Sequence, residues 1–405
     1  MKKPEILSPA GDMEKLRYAV AYGADAVYLA GSQFGMRTGA GNFTYEEMAE
    51  AVKHCHENGV KVMVTVNTMP RNNEFAVIDE HIRKIAECGA DGVIVADIGV
   101  LEVVKRVAPQ LRITISTQAN VTNYGAATAY YNMGANRVVL ARELSFEDII
   151  TIRKNTPADL DIECFVHCAM CMCFSGRCLL SHYLTNRDAN RGECAQPCRW
   201  EWTLHEKTRP GMEYDIAENE GGTYIMIAND LCMGPYVDML VEAGISSLKI
   251  EGRAKSFYYV ASVTSAYRKA IDSYYENPTD WLCPLSAMEE LTKTSHRRYS
   301  TGFYFGPENA TQTTDTSSYV REWDLLGVVE DWKDGVLYCS QRGKFTLGDE
   351  IEVLQPSGDT LRFTPSWIKN AEGENVESTP HSKMAFTVDC PVGIRPMSIL
   401  RKKAE

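Results

Sequence analysis

Four stretches of this chain repeat one pattern: "YGADAVYLAG" from residue 22, "CGADGVIVAD" from 88, "MGANRVVLAR" from 133 and "AGISSLKIEG" from 243. A looser copy, "NGVKVMVTVN", begins at 58. Each reads as a helix end closed by glycine, a short loop, then a strand rich in Val, Ile and Leu. Helix-period segments such as "TYEEMAEAVKHCHEN" and "FAVIDEHIRKIAEC" precede them. "PEILSPAG", "RITISTQAN" and "LDIECFVH" supply further strands and bring the total to a ring's worth. Buried strands alternating with helices form either an open doubly wound sheet or a closed barrel. No Gly-rich phosphate fingerprint follows the first strand, and the number of units suits closure. The expected fold is α/β, a (β/α)8 TIM-like barrel over residues 1–278.

The strand near 161–167 leads into a Cys-rich insertion, residues 168–243, before the last strand. Residues 279–319 read as a connecting segment ending in the polar linker "PENATQTTDTSSYV". From 320 to 405 the pattern changes to short strands separated by turn signals, which predicts a small C-terminal β-barrel domain.

Barrel chemistry sits at the C-terminal ends of the strands, so the polar residues there are candidates. They are Ser8, Arg37, Asn67, Asp97, Gln118, Asn120, Arg142, Glu143, His167, Glu251 and Arg253, some of which would only cap helices. Seven of the 13 cysteines lie between residues 164 and 198, with Cys232 further on. The first residues hold no apolar signal core, and no apolar run approaches the roughly 20 residues of a membrane span. A cytoplasmic protein is therefore expected, in which clustered thiols point to metal or redox chemistry rather than disulfides. Zinc is disfavoured because Cys168 and Cys171 form a CxxC, whereas Cys194 and Cys198 have three residues between them. A Cys–His nucleophile needs one activated thiol, not a crowd. An iron–sulfur cluster, held by four thiolates from flexible loops, suits the pattern best.

The runs "ECFVHCAMCMCFSGRCLLS", "NRGECAQPCRW" and "SLKIEGRAKSFYYV" closely resemble the collagenase-like peptidase family U-32. Within it the chain looks most like the branch of tRNA 5-hydroxyuridine synthases, and the resemblance runs nearly end to end. It implies hydroxylation of the wobble uridine of tRNA with prephenate as co-substrate, and a 4Fe–4S cluster on Cys171, Cys178, Cys194 and Cys198. Cys232 is the leading substitute ligand. Where the family usually has glycine, this chain has Cys168. The resemblance also allows a U-32-type peptidase, a non-catalytic metal-bearing RNA-binding scaffold, or a paralogous U-32 subunit as partner.

No nucleophile–base pair is recognisable in the sequence, which speaks against peptide hydrolysis. The carboxylates of prephenate require a guanidinium fork, for which Arg37, Arg71, Arg142 and Arg253 are placed. Arg253, Glu251, Arg142 and His167 are the expected catalytic set. The net charge is −12, so RNA would be gripped by a local patch. Lys293, Arg297 and Arg298, beside Tyr299, Phe303 and Tyr304, are the expected RNA contacts.

Overall fold

The computed structural model describes residues 2–36, 41–170, 178–200, 204–205, 213–214, 228–306, 309–310 and 319–404. Seven parallel strands come first: β1 (Glu5–Pro9), β2 (Ala26–Ala30), β3 (Lys61–Val66), β4 (Gly92–Val95), β5 (Arg112–Ile115), β6 (Arg137–Val139) and β7 (Asp161–Ala169). The insertion carries the short β8 (Leu204–His205) and β9 (Glu213–Tyr214), then β10 (Asp230–Cys232), and the ring ends with β11 (Ser247–Ile250). β11 pairs with both β1 and β7, so the sheet closes on itself as expected. Helices α1 (Met13–Ala21), α2 (Tyr45–Glu57), α3 (Phe75–Glu87), α4 (Ile98–Val107), α5 (Tyr124–Asn132) and α6 (Phe146–Lys154) follow the first six strands. After β7 come α7 (Leu180–Thr185) within the insertion and α8 (Val237–Glu242) before β11. No helix among the described residues is long and apolar enough to cross a membrane.

The repeat has a physical reason at its polar position. Asp25, Asp91, Asn136 and Ser246 occupy the same place in four copies, and each binds the strand before it twice. Their side chains accept the amides of Ile6, Val62, Ile113 and Ile162 at 2.8, 2.7, 2.8 and 3.4 Å. Their own amides donate to the carbonyls of the same four residues. Strands are thus stapled in successive pairs at the end of the barrel remote from the mouth. The preceding glycine must turn left-handed, as at Gly23 (φ 99°) and Gly134 (φ 104°).

After β11, α9 (Phe257–Glu276) packs on α1 and on α10 (Leu285–Thr292). The 279–319 stretch does more than connect: β12 (Tyr299–Ser300) extends the barrel sheet beside β10, and the Tyr304 hydroxyl donates to the Phe165 carbonyl at 2.7 Å. The C-terminal strands are β13 (Trp323–Lys333), β14 (Val336–Gln341), β15 (Ile351–Leu354), β16 (Leu361–Phe363), β17 (Ile368–Asn370), β18 (Ala385–Asp389) and β19 (Ile399–Lys403). They form a seven-stranded antiparallel half-barrel around its own core, including Phe345, Phe386 and Ile351.

The two bodies are joined by a third apolar cluster, in which Tyr18, Tyr22, Phe257 and Tyr258 meet Val328, Leu354 and Ile399. Beside it lies a buried ion cluster. Arg401, 0% exposed, reaches Glu290 at 2.5 and 2.6 Å and Glu352 at 2.7 and 2.9 Å. Lys293 reaches Glu352 at 2.6 Å and lies over the Trp323 ring. Lys293 is 8% exposed and Arg297 7%. Both were expected to grip RNA; docking of the half-barrel instead buries Lys293 as the counter-charge of Glu352. Arg297 is buried against Tyr319. Of the three, Arg298 alone is exposed.

Candidate active site at the barrel mouth

A cavity of ≈ 630 Å³ opens at the C-terminal ends of the strands. Arg142, Glu251 and Arg253 line it together with Asn67 and Gln118, so five of the sequence-expected mouth residues meet there. Arg253 donates to Thr65 Oγ1 and to Asn42 Oδ1, each at 3.2 Å. Gly11 admits this arrangement: a Cβ there would stand 2.2 Å from the Arg253 carbonyl oxygen. Arg142 donates to the Ala169 carbonyl at 3.0 Å and stacks over the Phe165 ring at 5.1 Å. The Oγ1 of Thr117 and Oε1 of Gln118 line the cavity without a hydrogen-bond partner among the described residues. Buried polar atoms of that kind are normally satisfied, so they fit contact with a ligand.

Sequence reasoning missed the floor of this cavity. Lys249 lies there, 4.7 Å from the centroid of Tyr28 and 5.6 Å from that of Phe165. Its ammonium group is the top of a ladder inside the barrel. Lys249 Nζ meets Glu163 at 2.8 Å, Glu163 meets Arg137 at 3.0 Å, and Arg137 meets Glu5 at 2.8 Å. Burial pushes the Glu163 carboxyl up, but the attraction of Lys249 and Arg137 more than offsets it and holds the carboxyl below the usual carboxylate range. Beside the ladder stands an apolar cluster of Leu7, Ala26, Tyr28, Met63 and Ile94, in which Leu7 is the β1 partner of Lys249. The available signal was charge in otherwise apolar strands, as in "SLKI", "DIECFVH" and "RVV".

His167 does not join the site. A one-residue irregularity in the β7–β11 ladder sets Lys249 opposite Phe165 but Ile250 opposite His167, leaving Val166 as the extra residue. Slippage by one residue exchanges the faces of a strand, which takes His167 off the inward row of Glu163 and Phe165. Its ring packs against Tyr259, Tyr267 and Tyr299, and burial lowers its pKa to about 3. A neutral, enclosed imidazole of this kind is a packing group.

The other expected residues divide. Ser8 is buried behind the wall and hydrogen-bonds Thr264 at 2.8 Å, whereas Asp97 caps α4 through the Val100 amide. Asn120 ends a helical turn at φ 57°. Arg37 lies outside the described residues. Arg71 lines a neighbouring groove with Arg191, whose ion pair to Glu74 at 2.7 Å ties the insertion to the loop after β3.

Of the cysteines, 171 and 173 lie outside the described residues. Cys178, Cys194 and Cys198 stand on one short piece of the insertion, where α7 packs on the 197–199 turn and the Ala195 amide donates to Ser181 Oγ at 3.0 Å. None of the three is buried, and the Gln196 amide donates to Cys194 Sγ at 3.3 Å. An all-thiol donor set with an amide hydrogen bond to sulfur fits the chemistry of an iron–sulfur cluster. Among the described residues, no three Cys, His, Asp or Glu side chains stand together in a metal-binding arrangement. Cys232 is buried beside Tyr267, and burial pushes its thiol up to about 11. Cys232 stands in β10, opposite His167 of β7. Cys164 likewise is packed, against Tyr304, its thiol raised by burial to about 12. Cys168 is buried at 3.7 Å from an Arg142 nitrogen.

A family model described as Peptidase family U32 matches residues 11–314, and one described as Peptidase family U32 C-terminal domain matches residues 321–401. The tRNA hydroxylation protein P1 of Bacillus subtilis is 36% identical to this chain, over 99% of it and 95% of that protein. The 23S rRNA 5-hydroxycytidine C2501 synthase of Escherichia coli is 35% identical over 72% of this chain and 44% of its own length. A collagenase of Porphyromonas gingivalis is 32% identical, with 87% of each chain covered.

Proposed function

Because the chain belongs to peptidase family U32, we propose that it is an RNA-modifying enzyme that hydroxylates tRNA, at C5 of the wobble uridine and with prephenate as co-substrate. The observation that carries this reading is the mouth cavity. Arg142, Lys249 and Arg253 face a single carboxylate, Glu251, among its described lining residues, in a chain of net charge −12. A cationic pocket with aromatic walls suits a ring-bearing dicarboxylate and an extruded pyrimidine. Full-length likeness to a tRNA hydroxylation protein supports the same reaction class, and the rRNA synthase is named for hydroxylation of a pyrimidine. A tRNA substrate implies a cytoplasmic enzyme.

In this reading Arg253 and Arg142 bind the carboxylates, and Phe165 and Tyr28 flank the base. Glu251 offers an acceptor to an N–H of the base, and Lys249 fixes negative charge at the floor. Cys171, Cys178, Cys194 and Cys198 would hold a 4Fe–4S cluster, which supplies one-electron chemistry when bound. The likeness to a collagenase favours a peptidase as the second reading. Against it, no His and no Cys lines the cavity among the described residues, so the Ser–His and Cys–His pairs of common peptidases are not formed by them.

The deciding measurement is nucleoside mass spectrometry of tRNA from a deletion strain without a paralogue, which should lack 5-hydroxyuridine and its derivatives. Normal levels there would sink the proposal. In the complemented strain, Arg253→Lys keeps the charge and loses the fork, and should lower the modification about tenfold while thermal melting stays unchanged. Alanine at position 171, 178, 194 or 198 should each reduce iron bound after anaerobic purification. Full iron in all four variants would rule out this ligand set.

A further inference from the structure

A second cavity, ≈ 930 Å³, runs between the loop after β11, the 294–295 turn and the start of the half-barrel. Lys255, Tyr319, Arg321 and Trp323 line it, and no carboxylate does so among the described residues. In a chain with 54 acidic and 42 basic side chains, that makes it a locally cationic groove. Its cations are positioned by rings. Lys255 Nζ lies 5.0 Å from the centroid of Tyr319 and 5.4 Å from that of Tyr259. The Arg297 guanidinium lies 5.1 Å from the centroid of the same Tyr319, which is 44% exposed. Arg297 has no ion pair among the described residues, and its Nε and Nη1 have no hydrogen-bond partner there. A buried guanidinium with no ion pair among the described residues adds positive potential behind the groove wall.

The groove also adjoins the barrel mouth. Arg253 lines the mouth cavity and Lys255 lines the groove, and two residues span at most about 7 Å. We propose that this groove holds the phosphodiester backbone of single-stranded RNA next to the nucleotide whose base enters the mouth. The inference rests on the RNA-hydroxylase reading and moves the RNA contact away from Lys293, which the half-barrel buries, to Lys255 and Arg321. Arg321 is well placed for this, since its side chain is largely exposed and held by Asp324 at 2.7 Å. Cations on a groove beside an extrusion site track a backbone without reading its sequence.

The test is binding of unmodified tRNA transcript to the full chain, purified anaerobically, as a function of salt. Lys255→Ala combined with Arg321→Ala should weaken binding about tenfold and make the log–log salt slope shallower by about 1.4, at roughly 0.7 per lost phosphate contact. Lys53→Ala, on the exposed face of α2, should change neither. The double variant should melt as the parent does, and Lys255→Arg should keep the parental slope. If the parent binds tRNA and the double variant keeps its slope, the groove is not the RNA track while the hydroxylase reading stands. If the parent itself does not bind tRNA, the RNA reading fails and takes this inference with it.

Discussion

Lys249→Met is expected to cost the fold about 3 kcal/mol, the lower end of the range for breaking a buried ion pair, and to abolish tRNA modification. The lower end applies because Glu163, stripped of Lys249, still has Arg137 at 3.0 Å. Two effects coincide. The cavity loses the cation on its floor, and the fully buried Glu163 loses a partner at 2.8 Å. Adding Glu163→Gln removes the stranded charge, so the double variant should recover part of the loss, with a coupling of about 1–3 kcal/mol in a double-mutant cycle. Additive losses in urea unfolding would show that the ladder is not energetically connected. The pH dependence has a fixed sign. The Glu163 carboxyl is held below its ordinary value of 4.5, so its contribution is present above that pH and is lost as pH falls through the depressed folded value.

The second large effect belongs to the seam between the two bodies. Arg401→Met should destabilise the chain by about 3–5 kcal/mol, because Glu290 is left buried with its ion-pair partner among the described residues gone while Glu352 keeps Lys293 and Arg362. Apolar contacts of Tyr22 and Tyr258 with Leu354 and Ile399 remain, so the seam should weaken and not vanish. Calorimetry should then show the single transition of the parent splitting in two, barrel and half-barrel melting apart. Adding Glu290→Leu should restore much of the loss, since a well-packed apolar replacement of a buried pair is often neutral or better. One unsplit transition at the parental temperature in Arg401→Met would show that the ion cluster carries none of the coupling.

The barrel was legible because its signal is local and repeated: helix, glycine, polar residue, buried strand. The polar position even encodes the pairing of neighbours, since Asp25, Asp91, Asn136 and Ser246 each bind the preceding strand. Mouth residues such as Arg142, Glu251 and Arg253 were legible for the same reason, as they follow a strand whose end was already located. What failed depended on contacts distant in sequence. His167 was misplaced by one bulged residue, which strict alternation does not reveal. Lys293 and Arg297 look like an exposed basic–aromatic segment until Glu352 and Trp323 of the half-barrel cover the first and Tyr319 covers the second. Lys249 was written in the sequence as a charge within a buried strand, but only the closed ring shows that its partner Glu163 stands on the adjacent β7.

The antiparallel ladder between β7 and β10 has a consequence for how such an enzyme can diversify. Ala169 stands opposite Asp230, Cys168 opposite Leu231 and His167 opposite Cys232, so the chain leaving the barrel wall returns to its own point of departure. The insertion is therefore a cassette with a built-in stem, and the ring closes through β7 and β11 independently of what the stem carries. Lineages could exchange, lengthen or shorten the cassette without re-solving the folding problem of the barrel. A tight two-residue hairpin turn joining 169 to 230 is geometrically allowed in its place. The cysteine-bearing piece is thus separate from the ring, whereas Arg142, Lys249, Glu251 and Arg253 belong to the barrel itself.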